Sequence, residues 1–343
     1  MMTAARTRLN QLAAAHHRAP IGTHLVLHEK PGAGEIPLDG ARLGDVIAES
    51  ASRFGTPLGI PLMDLTLEKE ALLLSLGIDP ARIEAFHFDA PPEAPAHFEL
   101  TPKMRAACDA IRRVAGKADL LPMGMGIGPF SLMTKLVSDP ITPVFLAGAG
   151  STADDEPELA VVEAAIRTGT DIILTYIDAQ AAAGAAAFIL CEPAANNVYF
   201  SPNQLDESYE VFDRLVMAPL RRIKARMDSL GVELVFHDCG ELTDGMVARF
   251  ADLDPAMISL GSSRDLASDA AIVPPTTVLY GNLPTKKFIS PQLTVNMVRR
   301  MASDIAEKVA ATGHPFILGS ECDVLSVPGQ EEAIMAKVEA FLR

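Results

Sequence analysis

The stretch VELVFHDCG, residues 232–240, decides the fold. Its apolar run Val232–Phe236 follows a glycine that ends a helical stretch, and His237 and Cys239 come directly after the run. Similar continuous apolar runs alternate with helical stretches along the chain: Pro57–Leu62, Ala118–Met123, Ala186–Leu190, Ala256–Leu260, Thr276–Tyr280 and Pro315–Leu318. Uninterrupted apolar strands that alternate with helices are typical of a parallel sheet covered by helices.

Three helices are predicted by shared start and stop signals, namely Ser or Thr followed by Pro at the start and Gly at the end. A hydroxyl caps free amide groups, proline fits the first helical position, and glycine permits a left-handed end. These helices are Thr101–Gly116, Ser201–Gly231 and Ser290–Gly313. A short helix is predicted before Pro20, and the segment THLVLHE (Thr23–Glu29) reads as a strand.

Seven or eight such strands favour a closed barrel over an open sheet. The sequence therefore predicts an α/β fold, a (β/α)8 TIM barrel with an N-terminal extension. We expect one domain, with the extension at residues 1–56 and the barrel at residues 57–343, because no linker rich in Pro, Gly or Ser divides the chain.

The charge and cysteine content exclude several functional classes. The 343 residues include 29 Lys and Arg against 44 Asp and Glu, a net charge of -15, which disfavours nucleic acids and anionic membranes as partners. Four cysteines are too few for a disulfide scaffold. The longest apolar runs are about half of the ~20 residues that span a bilayer. We therefore expect a cytoplasmic protein.

Three residues suggest a metal site. His237 and Cys239 stand two apart at the end of a strand, so their side chains share a face, and Cys322 follows the last strand. The C-terminal strand ends of a barrel converge on one mouth. One imidazole and two thiolates suit Zn²⁺, and three protein ligands leave a position open for a substrate. The alternative is that these cysteines are packing residues, as Cys108 in mid-helix is expected to be.

Several segments, in this order and spacing, resemble the uroporphyrinogen decarboxylase superfamily: MDLTLEKEALLLSLG (63–77), GIGPF (126–130), AAAGAAAFILCEPAANNVYFSPNQ (181–204), VELVFHDCG (232–240), GNLPT (281–285) and FILGSECDV (316–324). The resemblance implies a TIM barrel. The decarboxylase branch carries two arginines in an N-terminal segment, whereas Pro20–Gly32 here contains none. The branch of zinc-containing corrinoid protein:coenzyme M methyltransferases has a His-x-Cys…Cys ligand pattern, which this chain matches at His237, Cys239 and Cys322.

This second branch implies a zinc-dependent methyltransferase. The methyl group would pass from a methyl-corrinoid (cobalamin) to a thiol or similar acceptor. No Asp-x-His-x-x-Gly motif is present, so we expect the corrinoid on a separate partner protein. Zinc would lower the pKa of the acceptor thiol and so activate it.

Other residues at the predicted mouth are assigned supporting roles. Glu192 and Asn282 are candidate catalytic residues, Glu192 as a fourth ligand, a proton acceptor or a helix cap, and Asn282 as a group that orients a ligand. Gly126, Gly128 and Asp64 are candidate cofactor-binding residues, although a tight loop explains the glycines equally well. Lys286 or Lys287 would pair an anionic acceptor, or form a solvated basic turn.

Three alternative functions stay open at this point. The same ligands would serve a zinc-dependent thiol alkyltransferase of the epoxide:coenzyme M type. A folate could replace the thiol as the acceptor. The third alternative is a uroporphyrinogen decarboxylase-like protein without a metal. Homodimer formation is compatible with the sequence but is not specified by it.

Overall fold

The computed structural model describes residues 2–343 and contains one eight-stranded parallel sheet. The strand order is β1-β8-β7-β6-β5-β4-β3-β2, so the sheet curls into a nearly closed barrel whose pairing is interrupted between the first and second strands. This confirms the predicted α/β (β/α)8 fold. The strands are β1 (Arg18–Ile21), β2 (Leu58–Gly59), β3 (Leu121–Ile127), β4 (Ala187–Cys191), β5 (Glu233–Asp238), β6 (Met257–Leu260), β7 (Val278–Leu283) and β8 (Phe316–Asp323).

Helices precede, separate and follow the strands, and most of them cover the outside of the sheet. They are α1 (Ala4–Ala14), α2 (Thr23–His28), α3 (Gly40–Arg53), α4 (Leu67–Ser75), α5 (Pro102–Ala115), α6 (Pro129–Met133), α7 (Ile141–Gly148), α8 (Pro157–Ala182), α9 (Pro202–Glu207), α10 (Glu210–Phe212), α11 (Ala218–Leu230), α12 (Asp244–Ala251), α13 (Leu266–Asp269), α14 (Val295–Thr312) and α15 (Glu331–Leu342). Among residues 2–343, none of these helices combines the length and apolar character needed to cross a bilayer.

The predicted helix at Thr101–Gly116 is confirmed, with the Thr101 hydroxyl accepting a hydrogen bond from the Met104 amide. The prediction of one continuous helix over Ser201–Gly231 is wrong, because α9, α10 and a π-helical turn precede α11. The predicted start at Ser290 is also wrong. Helix α14 begins at Val295 with Thr294 as its cap. Both Ser290 and Thr294 are good capping residues, and the sequence alone does not choose between them.

The prediction of a strand at THLVLHE is wrong. The neighbouring residues Arg18–Ile21 form β1, and THLVLH forms α2. Leu25 and Leu27 pack in the core between the sheet and the helices. β1 lies within residues 1–56, and Arg18 pairs with Leu318 of β8, so this segment contributes a strand to the barrel sheet.

The core has two parts, one on each face of the sheet. The outer core, between sheet and helices, contains Leu234 and Phe236 of β5. The inner core fills the barrel and includes Leu9 of α1, together with Leu121, Met123, Val235, Met257, Val278 and Ile317 of the strands. Because side chains alternate along a strand, the inward-facing Val235 predicts that His237 also faces inward. The sheet thereby directs His237 into the C-terminal end of the barrel.

Candidate metal centre

The three predicted metal ligands come together at the C-terminal end of the barrel. The donor atoms of His237, Cys239 and Cys322 all lie within 4.8 Å of one another. His237 is buried, whereas both cysteines are half-buried. The histidine therefore forms the closed side of the group, and the two partly exposed cysteines lie toward solvent.

The neighbouring strand β6 orients the histidine. His237 is paired with Ser259 in the sheet, and Nδ1 of His237 lies 2.9 Å from the Ser259 hydroxyl oxygen. Engagement of Nδ1 leaves Nε2 as the nitrogen for a ligand. Sequence reasoning missed Ser259. The available signal was a single hydroxyl inside the apolar run Ala256–Leu260.

The two sulfur atoms share a hydrogen bond, and their pKa values move in opposite directions. The pKa of Cys239 is lowered because Cys322 donates to it, with further stabilisation of the thiolate from His237 and Lys286. The pKa of Cys322 is raised by that same hydrogen bond and by burial. A metal ion that binds both sulfurs would displace any proton that they hold.

This donor set fits zinc. One imidazole nitrogen and two sulfurs match the ligands that Zn²⁺ prefers in proteins. Among residues 2–343, this is the one group of three or more His, Cys, Asp or Glu side chains close enough together to hold an ion. Three donors from the chain leave a fourth coordination position for a substrate, as in catalytic rather than structural zinc sites.

One protein-family model matches most of the chain. The model described as uroporphyrinogen decarboxylase (URO-D) matches residues 46–341. The chain belongs to the uroporphyrinogen decarboxylase family. This confirms the family resemblance found in segments such as VELVFHDCG and GIGPF.

Among solved structures, the chain is similar to a methyltransferase from Methanosarcina mazei. The TM-score is 0.68, the sequence identity is 16%, and the match covers 98% of both chains. At this identity the likeness shows a common fold. A search of curated proteins found no match.

Lys286 directly contacts Cys239, one of the three candidate metal ligands. Its Nζ donates to Cys239 Sγ over 3.2 Å. Its backbone amide donates to the Glu321 carboxylate over 3.3 Å, and the Ser262 amide donates to the same carboxylate over 3.1 Å. Glu321 therefore ties the segments after β6 and β7 to β8. Lys287 instead lines a separate surface cleft with Arg264 and Lys308.

Glu192 of this URO-D family member lies outside the metal group. Its two carboxylate oxygens accept hydrogen bonds from the backbone amides of Phe130, over 3.2 Å, and Ser131, over 2.5 Å. Complete burial raises its pKa to about 7, although these amides favour the charged form. The carboxylate thus caps the start of α6. The catalytic role predicted for Glu192 stays a prediction.

Gly126 and Gly128 make room for buried carboxylates. A Cβ on Gly126 would lie 2.5 Å from Oε1 of Glu68, and a Cβ on Gly128 would overlap the carboxylate of Glu192. Neither glycine faces open space. Sequence reasoning missed Glu68, whose Oε1 accepts from the Ile127 amide over 3.1 Å. The only signal was an acidic residue on the apolar side of α4.

Asp64 and Asn282 are held by neighbouring backbone and side-chain groups. Oδ1 of Asp64 accepts from the Thr66 amide over 3.1 Å, at the connection between β2 and α4. The Asn282 amide group donates to the carbonyl oxygens of Gly261, over 2.9 Å, and Arg264, over 2.8 Å. Asn282 thus fixes the loop after β6, while the predicted ligand contacts of both residues stay predictions.

The other two cysteines lie in the two core regions. Cys108 on α5 belongs to the outer core, and burial raises its pKa to about 11. Cys191 is fully buried inside the barrel, where it pairs along the sheet with His237. It is not among the clustered metal-ligand candidates.

Proposed function

We propose that this chain is a zinc-dependent methyltransferase that moves a methyl group from a corrinoid, carried by a partner protein, to a thiol. The observation that carries the proposal is the group of three donor atoms within 4.8 Å at the C-terminal end of the barrel, with both cysteines half-buried. The fold similarity to a methyltransferase, with a TM-score of 0.68, supports this class of reaction.

His237, Cys239 and Cys322 would hold the zinc ion. The bound ion would supply Lewis acidity that lowers the pKa of an acceptor thiol. In the overall reaction the methyl group leaves cobalt and bonds to sulfur. The electron pair of the broken cobalt–carbon bond stays on the corrinoid as cob(I)alamin, and the thiol proton is released to solvent.

The chain's own residues orient the reacting sulfur and limit its approach. Ser259 fixes the ring of His237 at the closed side of the group. Glu321 fixes the loops after β6 and β7, which lie in the sheet between β8, the strand of Cys322, and β5, the strand that Cys239 follows. A substrate would therefore approach from the side on which Cys239 and Cys322 are partly exposed.

A partner protein as the corrinoid carrier is supported by the surface around this site. Many of the most exposed large apolar side chains lie between the C-terminal end of a strand and the following helix, or in the first turn of that helix. They are Val198, Ile289, Met297 and Leu325. Leu38, before α3, and Ile141 and Phe145, on α7, lie further along the connections that follow β1 and β3. Exposed apolar side chains concentrated on one face are typical of protein-binding surfaces. The corrinoid would then enter with its carrier from this face.

Metal analysis tests the site first. Protein purified without chelator is expected to contain about one zinc per chain, the stoichiometry of a three-ligand catalytic site. Cys322→Ser should lose it, whereas the matched control Cys191→Ala should retain it. Zinc well below one per chain in the wild type, unchanged by Cys322→Ser, would contradict the proposed site.

Methyl transfer is tested next with zinc-loaded protein, methylcobalamin and a panel of thiols. Formation of cob(I)alamin together with the methyl thioether is expected for at least one thiol. Zinc-loaded protein that yields neither product with any thiol contradicts methyl transfer. Product formation from an epoxide and a thiol would instead identify a thiol alkyltransferase.

A further inference from the structure

Lys286 places a positive charge against the candidate metal ligands. It lies in the 3₁₀ turn Thr285–Lys287 that follows β7. Its Nζ lies 3.2 Å from Cys239 Sγ, within the range of a hydrogen bond to sulfur. An ammonium group that donates to a thiolate forms a charge-assisted hydrogen bond, which is stronger than one between neutral groups.

The turn that carries Lys286 is held from several sides. The Thr285 hydroxyl donates to the carbonyl oxygen of Cys322 over 3.2 Å. The Lys286 amide donates to Glu321, and the turn is therefore bound to the strand that provides one of the sulfurs. Lys337 of α15 donates from its ammonium group to the carbonyl oxygens of Phe288 and Ser290. The backbone of Lys286, an exposed residue, is thus anchored where its side chain reaches Cys239.

The role of Lys286 follows from the net charge that the site would carry with zinc and an acceptor thiolate bound. Two cysteine thiolates balance the two positive charges of a zinc ion, and His237 adds no charge when neutral. An acceptor thiolate then brings one further negative charge. Coulomb attraction to an ammonium at hydrogen-bond range is significant even near a protein surface. Lys286 is placed to supply that attraction.

We propose that Lys286 is a charge-compensating residue that strengthens the binding of an acceptor thiolate, whatever the tail of that acceptor carries. This inference rests on the proposed function, since it assumes a zinc ion and a thiol substrate. It makes Lys286 a determinant of affinity for the sulfur itself. The alternative is that Lys286 binds an anionic group elsewhere on the acceptor, and the experiment below separates the two.

Removing the positive charge of Lys286 is expected to act differently on the binding of zinc and on the binding of the acceptor. A positive charge beside the sulfurs repels Zn²⁺ and attracts a thiolate. Its removal should therefore leave zinc affinity equal or increased, while acceptor affinity falls. A residue with only a structural role would, when removed, weaken the binding of both.

The experiment compares Lys286→Met with Lys286→Arg and with the adjacent control Lys287→Met. Zinc affinity is measured by competition with a chromophoric chelator. Acceptor affinity is measured by calorimetric titration of the zinc-loaded proteins with 2-mercaptoethanol, which is neutral, and with 2-mercaptoethanesulfonate, which has an anionic tail. Zinc content is determined again after each titration.

We expect Lys286→Met to raise the dissociation constants of both thiols by a similar factor, about tenfold, the effect of losing one hydrogen bond to a charged group. Lys286→Arg should restore most of the affinity, and Lys287→Met should match the wild type. A loss confined to the sulfonate-bearing thiol, an equal loss of zinc affinity, or no change would overturn the proposal. Wild-type protein that binds no zinc or no thiol would overturn the proposed function itself, before any variant is compared.

Discussion

Gly128 packs directly against the carboxylate of Glu192, and a Cβ at this position would overlap that carboxylate. Glu192 in turn accepts hydrogen bonds from the amides of Phe130 and Ser131. Two residues that the sequence assigns to a cofactor site and a catalytic site thus contact each other at the junction of β3, β4 and α6. The contact between Gly128 and Glu192 is therefore one of packing around a buried carboxylate.

We therefore predict that Gly128→Ala destabilises the fold. The φ angle of Gly128 is -81°, which alanine adopts freely, so the cost comes from overlap with Glu192 and not from backbone strain. Overpacking of this kind costs about 1–3 kcal/mol. Urea unfolding measures it, and Gly34→Ala is the control because a Cβ there has no neighbour within 4 Å. Equal midpoints for the two variants would contradict the packing explanation.

Local pattern and barrel geometry together were sufficient to predict that His237, Cys239 and Cys322 cluster. The spacing of His237 and Cys239 gives their common face, and the convergence of strand ends brings Cys322 to them. The same rules place Glu192 at a strand end but not on a given side of the sheet. Its position directly after the inward-facing Cys191 turns its side chain outward, toward α6.

Residues whose roles depend on strand register or on tertiary competition escaped prediction. Ser259 is recognisable as the partner of His237 only when β5 and β6 are aligned. The segment THLVLHE has the apolar pattern of a strand, but β1 occupies the edge position beside β8, and the segment buries its leucines as a helix. Tertiary context overrides such short patterns.

Ser259→Ala is predicted to weaken zinc binding. The hydroxyl of Ser259 lies 2.9 Å from Nδ1 of His237 and holds the ring orientation. Loss of such a supporting contact typically lowers metal affinity by about 10–100-fold. Chelator competition measures the change, with Ser263→Ala as the control, because the Ser263 hydroxyl donates to the Gly240 carbonyl instead. Unchanged affinity in Ser259→Ala would show that packing alone orients the ring.

Glu68 should make the stability of the fold depend on pH. Burial raises its pKa from 4.5 to about 8, and its Oε2 has no hydrogen-bond partner among the described residues. The folded state therefore keeps a proton that the unfolded state releases at lower pH. This contribution is complete below the unfolded pKa and is lost as the pH rises toward the folded pKa, at up to about 1.4 kcal/mol per pH unit.

Glu68→Gln tests this dependence because glutamine imitates the protonated carboxyl. Urea unfolding from about pH 5 to about pH 8 should show the wild type losing stability relative to the variant as the pH rises. Parallel profiles for the two proteins would mean that Glu68 is not protonated in the fold.

Lys337→Met is predicted to loosen the turn that carries Lys286. The buried ammonium of Lys337 donates to the carbonyl oxygens of Phe288 and Ser290, and methionine would leave both without this donor. Loss of such partners costs about 1–3 kcal/mol. Hydrogen exchange should quicken at the amides of Lys287, Phe288 and Ser290, which donate within this segment. Lys308→Met, at an exposed position on α14, is the control. If the three amides exchange at the same rate in both variants, Lys337 does not fix the turn, and the placement of Lys286 depends on Glu321 and Thr285.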